Sequence, residues 1–477
     1  MSRTEGGRAL AILQSGTRSR SAKRLVLVAL CLGVLIAQID TSVVNLAVEP
    51  IGAAFSAATS ELQWMLDAYN LVYTVLLLTG GLFADLYGRR LVFMLGAAVL
   101  TGASLASAAA PDMTVLIAAR AATGVGAAML LPASLAVVRV VWQDDVERGR
   151  ALGIWASCNG LAFAIGPSLG GILINAFGWR SVFLLVVPFG LVALALAVTI
   201  VPESAAPARR GFDASGQALG AIALGGLAFA AIDGSGGAAL RLAALAASLI
   251  SLPLFLRVER RAGSAALIPL DLFRNRGFSG ALAATATMTF GIYGMIFLLP
   301  LLWQALDRLS AAGAGLALLP ISLLFFLVST ASGQLAERVG RRALAAGGTA
   351  LIGLGLVVLA TTSAGTPLPL AEAGLLLAGL GMGLNTGPLL AVTIAAVAAP
   401  RAGTAAALFN VARMSGAVLG VAVLGALFAA VGGGAPGFQA AMLAGGLVQL
   451  TGAAIAAATI PRQRQGEPKA LELHEPL

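Results

Sequence analysis

Fourteen apolar stretches, each roughly 18 to 25 residues long, follow one another along this chain, and a bilayer core takes about 20 apolar residues per helix. They lie near 25–47, 62–83, 91–110, 114–137, 151–173, 181–201, 214–233, 239–257, 278–302, 312–332, 343–362, 370–395, 404–430 and 438–460. The runs are continuous rather than alternating, which excludes a β-barrel. Helices satisfy their own backbone inside hydrocarbon, so an all-α, multi-span membrane protein is the expected fold class. The seventh and eighth stretches are Ala/Gly-rich and are separated only by "DGSGGAA".

Composition agrees and narrows the chemistry. Charged residues make up 11% of the 477, against about 25% in soluble domains. Fifty-nine glycines suit helices that approach closely where no hydrophobic effect drives association. Cys31 and Cys158 both fall in apolar runs and imply no disulfide framework. The polar stretch before the first run is too long for a cleavable signal. Lys23 and Lys469 are the only lysines, so no phosphate-binding G-x-x-x-x-G-K-[ST] loop exists and ATP is not the direct energy source. The only histidine is His474, which argues against zinc sites and histidine proton relays. No cofactor is expected, and the net charge of +9 needs no nucleic-acid partner.

Charge placement orients the chain. An even number of spans puts both termini on one side. That side carries the basic N-terminal arm, "GRR" at 88–90, "ERGR" at 147–150, "ARR" at 208–210, "RVERR" at 257–261, "FRNR" at 273–276, "GRR" at 340–342 and the tail. Of the 30 basic residues, only Arg180, Arg241 and Arg308 fall opposite, and Arg120 and Arg413 fall within spans. Basic loops mark the cytoplasm, so both termini are expected there.

An internal repeat follows. "GLFADLYGRR" (81–90) and "GQLAERVGRR" (333–342) share G-x-x-A-[DE]-x-x-G-R-R, after the second and tenth spans. Repeated halves are a transporter architecture, with the substrate between them. Two six-span halves would place the repeats six spans apart; here they are eight apart. The two spans near 214–257 therefore read as an insertion between the halves.

These features resemble the major facilitator superfamily, specifically its fourteen-span drug:proton antiporter branch, over most of the chain. Four patches carry the resemblance. In "GLFADLYGRR", the family's cytoplasmic latch maps onto Gly81, Asp85, Gly88, Arg89 and Arg90. Leu86 stands where the family usually has an arginine. The second copy maps onto Gly333, Glu337, Arg338, Gly340 and Arg341. A plain topogenic loop is the competing reading. In "LIAARAATGVGAAMLLPASL", Arg120 lies within the fourth span, where a charge costs about 2.5–3.5 kcal/mol on insertion scales. The resemblance implies a part in proton coupling, and a structural arginine is the alternative. Thr123 replaces the family's glutamine. In "AIGPSLGG", Gly166, Pro167, Gly170 and Gly171 match the motif that marks antiporters, and a small-residue packing face is the alternative. "QIDTSVVNLAVEPI" resembles the first-span signature through Asp40, Val44, Asn45, Ala47 and Pro50; Glu49 departs from it.

At 1.5 Å per residue, Asp40 lies about 10–12 Å below the outer end of its span, Arg120 about 9–10 Å and Asp67 about 8–9 Å. Two acids and a base thus share a depth. A carboxyl group holds its proton more tightly when desolvated and less tightly beside a cation. Asp40 is therefore read as a group that exchanges a proton against Arg120 or a substrate as access alternates; permanent pairing is the rival reading. Asp67 is read as either a proton or substrate group or a hydrated rim residue. Inward proton flow supplies about 2.3 kcal/mol per 100 mV. Gln38, Thr41 and Asn45 fall at helical spacing and form one polar face. With Trp64, Tyr69, Phe290, Tyr293, Phe297, Asn385, Asn410 and Arg413 they are candidate cavity residues. Aromatic groups suit cations and Arg413 suits an acid, so the substrate's charge stays open.

The expected organisation is an N-terminal arm (1–24), a six-helix bundle (25–201), two linker helices with flanking loops (202–277), a second six-helix bundle (278–460) and a cytoplasmic tail (461–477). The expected function is proton-coupled export of drugs or other amphipathic small molecules across a bacterial inner membrane by a non-enzymatic monomer. A dedicated exporter of one metabolite or self-made antibiotic is the alternative, and a non-transporting receptor or scaffold a remote one.

Overall fold

The computed structural model describes residues 20–205, 213–232, 237–262, 266, 268–306, 308–363, 365–398 and 401–462. The arm as far as residue 19, "ARR" at 208–210 and the tail from residue 463 lie outside the described residues.

Each apolar run becomes a helix. In order they are α1 (Arg20–Val43), a 3-10 turn (Val44–Ala47), α2 (Val48–Phe55), α3 (Thr59–Tyr87), α4 (Arg89–Ala108), α5 (Met113–Val141), α6 (Asp145–Phe177), α7 (Ser181–Leu184), α8 (Val186–Ile200), α9 (Ala214–Ala231) and α10 (Gly237–Ala262). After a 3-10 turn (Leu270–Arg274) come α11 (Arg276–Ala305), α12 (Ala311–Ala317), α13 (Leu319–Val339), α14 (Arg341–Leu359), α15 (Leu368–Ala395), α16 (Ala402–Ala430) and α17 (Gly434–Thr459). Among the described residues, thirteen helical stretches are long and apolar enough to cross a bilayer. Between the fourth and fifth of them runs α6, 33 residues long.

Helix starts are written into the sequence. Asp112, Asp213, Asn275 and Ser310 accept from the backbone N–H of Val115, Gly216, Phe278 and Gly313 respectively, satisfying donors that a helix leaves open. Gly88 and Gly340 end α3 and α13 with φ of 113° and 94°, a conformation that side chains resist. The two repeats therefore make the same backbone turn. The first span departs from its expected end at 47: the chain passes through the 3-10 turn into α2 and stops at Ser56, φ 51°. Glu49 sits in the first turn of α2, where the helix dipole favours an acid.

The helices pack as two groups. In residues 20–201 the main pairs are α3–α5, α4–α5, α1–α6, α1–α8 and α4–α8; in residues 276–459 they are α14–α15, α11–α16, α14–α17, α13–α15 and α11–α17. The groups meet along two seams: α3 against α16, and α6 against α12 and α13. In each seam the second span of one group meets the fifth of the other, as a twofold repeat requires. At the end holding Ile51, Leu62 and Trp303 a single apolar cluster joins both groups. Toward the basic loops most of the core divides, one cluster around Val26, Val137 and Ala151 and another around Leu272, Phe278 and Leu408.

The helices α9 and α10 pair with each other at the periphery. Only 17% of the apolar window of each is buried, against 72% for α11. α9 touches both groups, through α16 and α3. Gln217 donates to the Val75 carbonyl and accepts from the Thr79 hydroxyl, and Phe229 meets Trp64 at 5.8 Å between ring centroids.

Candidate functional site

Between the two groups lies a cavity enclosing about 880 Å³ of non-atom space, its opening to solvent included. From α1 and the 3-10 turn that follows, it takes Gln38, Thr41, Ser42 and Asn45, one face at the spacing expected of a helix. From α11 it takes Met288, Thr289, Ile292, Tyr293 and Ile296, again at helical spacing. Pro167, Ser322, Phe325, Met382, Thr386 and Arg413 also reach it. A smaller cavity beside it includes Tyr69, Asn70 and Arg120. Hydroxyl groups here are tethered: Thr289 donates to the Arg413 carbonyl and Thr386 to the Met382 carbonyl. The walls are thus apolar with a few oriented polar groups, the usual make-up of a small-molecule site.

Asp40 does not line the cavity. It sits one residue behind Thr41, fully buried, and its Oδ2 accepts from Arg120 Nη1 at 2.6 Å. The guanidinium also donates through Nε to the Met65 carbonyl at 3.4 Å and lies 5.0 Å from the Tyr69 ring centroid and 5.9 Å from that of Phe183. Asp40 Oδ1 has no hydrogen-bond partner among the described residues. Arg120 connects this pair to the smaller cavity, so the acid reaches the passage through its partner.

The rim reading of Asp67 does not describe this structure. Asp67 is fully buried, and both carboxylate oxygens lack hydrogen-bond partners among the described residues. The helix α3 starts at Thr59 and gives Leu62, Met65 and Leu66 of its first turns to the shared apolar cluster, which draws Asp67 inside.

The residues of the two GRR loops are arranged differently in the two copies. Arg89 pairs with Asp85 at 2.9 Å, while Arg90 donates to the Val198 carbonyl. Glu203, which sequence reading passed over, accepts from the backbone N–H of Arg90 and Leu91 and so caps α4 from beyond α8. Gly81 lies near Pro132. In the second copy Gly333, Glu337 and Arg338 are exposed and Arg341 is half-buried; none of the three charged residues forms an ion pair among the described residues.

In "AIGPSLGG", Gly166 faces Ser42 and Gly170 faces Val43, both on α1, while Gly171 faces α12. A methyl group at Gly171 would stand 2.5 Å from the Ala311 carbonyl oxygen and 2.8 Å from Ala312 Cα. Pro167 lies within α6 and its carbonyl meets Gly315. The motif is therefore a two-sided contact, to its own group and to the opposite one.

Three candidates fall elsewhere. Trp64 meets Phe229 of α9 in a tilted ring contact, Asn385 is buried against Thr349, and Asn410 donates to the Ala406 carbonyl within its own helix. Tyr293 borders both cavities. Tyr69 donates to the Ala37 carbonyl and Phe290 and Phe297 belong to the packed core. Sequence reading also missed Gln63, buried, which donates to the carbonyls of Val421 and Ala422 and ties α3 to α16 across the seam. The signal for the rest of the α11 wall was present: Thr289, Ile292 and Ile296 fall at helical spacing with Tyr293, which was among the candidates.

Residues 30–421 match the family model described as Major Facilitator Superfamily. The chain is 35% identical over 409 residues to the multidrug resistance protein Stp of Mycobacterium tuberculosis, covering 85% of this chain and 76% of that one. It is 30% identical over 452 residues to the methylenomycin A resistance protein of Streptomyces coelicolor, covering 94% of each. In fold it is similar to a bacterial homolog of the human lysosomal transporter Spinster, crystallised inward-facing and unoccupied, with a TM-score of 0.67, 18% identity, and coverage of 93% of this chain and 98% of that one. Apolar spans, a twofold helix exchange around a central cavity and a match across most of the sequence converge: this multi-span membrane protein belongs to the Major Facilitator Superfamily.

Proposed function

We propose that this chain exports drugs or other amphipathic small molecules by alternating access, in exchange for protons. The observation that carries the reading is the apolar cavity between two helix groups whose shared cluster lies at one end, with the Asp40–Arg120 pair one residue behind the wall. The names of the relatives, multidrug resistance and methylenomycin A resistance, support an outward direction. In this reading α6 is a fourteenth span. Both termini are cytoplasmic, the shared cluster is the periplasmic seal, and the cavity opens inward. The partition into bundles at 25–201 and 278–460, with a linker pair at 202–277, follows the packing described above. The setting is a bacterial inner membrane, the unit is a monomer, and the task needs no covalent chemistry and no cofactor.

Proton coupling is assigned to Asp40, Arg120 and Asp67. The pair opens when a proton neutralises Asp40, freeing Arg120 toward the smaller cavity. Asp67, buried with no partner among the described residues, is a second carboxyl that bears charge only at high cost. The GRR loops act as latches between conformations, and Gly166, Pro167, Gly170 and Gly171 form the bearing.

Efflux of a panel of anionic, neutral and cationic fluorescent compounds from cells, with and without a proton uncoupler, tests this. Wild type is expected to keep at least one compound low inside until the uncoupler is added, and Asp40→Asn is expected to behave as uncoupled wild type. Uphill efflux surviving both treatments refutes the coupling. A dedicated exporter is the second reading, favoured by the full-length match to the methylenomycin A resistance protein. Competition among unrelated compounds supports the broad exporter, and its absence supports the dedicated one.

A further inference from the structure

Within the cavity that the proposed function takes as the transport site, charge is one-sided. Neither the cavity nor its smaller neighbour has an aspartate or glutamate among its lining residues. Two arginines reach them. Arg120 is already matched by Asp40 at 2.6 Å. Arg413 is half-buried and not matched: among the described residues it forms no ion pair, and its buried Nε has no hydrogen-bond partner. The rest of the wall is aliphatic, thioether, aromatic, hydroxyl or amide.

A buried guanidinium N–H without an acceptor is costly, and an anion that takes charge-assisted N–H bonds from the guanidinium relieves it. Hydroxyl groups nearby are engaged with backbone carbonyls, Thr289 with that of Arg413 and Thr386 with that of Met382, and do not supply that anion. A cationic ligand would add like charge with no carboxylate to receive it. Met288, Ile292, Ile321, Phe325 and Met382 suit an apolar body. We propose that the substrate is an amphipathic organic anion, an apolar skeleton bearing a carboxylate or comparably acidic oxygen, and that Arg413 is the specificity-determining residue that receives it. This rests on the cavity being the substrate site.

The test uses three probes that share one apolar body: pyrenebutyrate, pyrenebutyramide and the matching pyrenylbutyl trimethylammonium. Binding to the purified full-length chain is read by fluorescence anisotropy. Wild type is expected to hold the carboxylate at least about tenfold more tightly than the cation. Arg413→Gln is expected to lose that preference while keeping its affinity for the amide, which reports an intact cavity. Arg413→Lys is expected to retain part of the preference. A wild type that binds the cation as well as the carboxylate, or an Arg413→Gln that keeps full carboxylate affinity, overturns the proposal. Met382→Trp, which fills the cavity, separates the two levels. If it abolishes binding while wild type shows no charge preference, only the substrate class fails. If all three probes bind Met382→Trp undiminished, the cavity reading fails with it.

Discussion

Asp40 and Arg120 stand 80 residues apart in the chain and 2.6 Å apart in space. Each would be prohibitive alone in a low-dielectric interior, and each is the other's main compensation. Removing one member leaves the other uncompensated, which costs about 3–5 kcal/mol in buried pairs. Asp40→Asn and Arg120→Gln are therefore each expected to lower the thermal stability of the purified protein. The double variant should recover much of the loss, because no lone charge remains. Additive losses in that cycle would mean that the two side chains do not depend on each other. Much of this was legible beforehand, because depth along a helix follows from counting residues. What counting does not supply is which way a side chain points. Asp67 shares the depth yet finds no partner among the described residues, and Gln63, which the sequence did not mark, ties α3 to α16 by donating to backbone carbonyls.

At the scale of elements, α6 is held by close backbone approach. The added methyl at Gly171 meets main-chain atoms of Ala311 and Ala312, which cannot swing aside as a flexible side chain can. Overpacking of this kind costs about 1–3 kcal/mol. That is enough to move a conformational equilibrium by roughly ten- to a hundredfold. Gly171→Val is expected to insert normally, to disfavour closure of the α6–α12 seam and to cut transport accordingly. Normal transport by this variant would show that the seam does not tighten in the cycle. Helix positions were the most readable feature of the sequence, since hydrocarbon enforces long apolar runs. The error at the first span arose because "VEPIGAAF" is compatible with helix and its lone acid falls where a helix start tolerates one. The cap supplied by Glu203 was unreadable, as its partners lie more than a hundred residues away.

For the whole molecule, the joined cluster at one end and the largely divided cores at the other define which face admits solvent. With Cys31 and Cys158, both free and buried, replaced by alanine, Thr386→Cys places one thiol on the cavity wall. A membrane-impermeant thiol reagent is expected to modify it about tenfold or more faster in inside-out vesicles than in right-side-out ones, if the described conformation dominates. The reverse ratio would place the seal on the wrong face.

The peripheral hairpin of α9 and α10 has a mechanical consequence. A body wedged against two others that swing apart must ride with one and skid past the other. Although α9 packs against both groups, among the described residues its side-chain hydrogen bonds to them, those of Gln217, run to α3, so the first helix group is the one expected to carry the hairpin. Lipid on that flank then meets a moving gasket instead of a slit, whereas among the described residues no helix pair covers the opposite flank, where α6 meets α12 and α13. Molecules dissolved in the membrane would thus have one doorway to the interior rather than two.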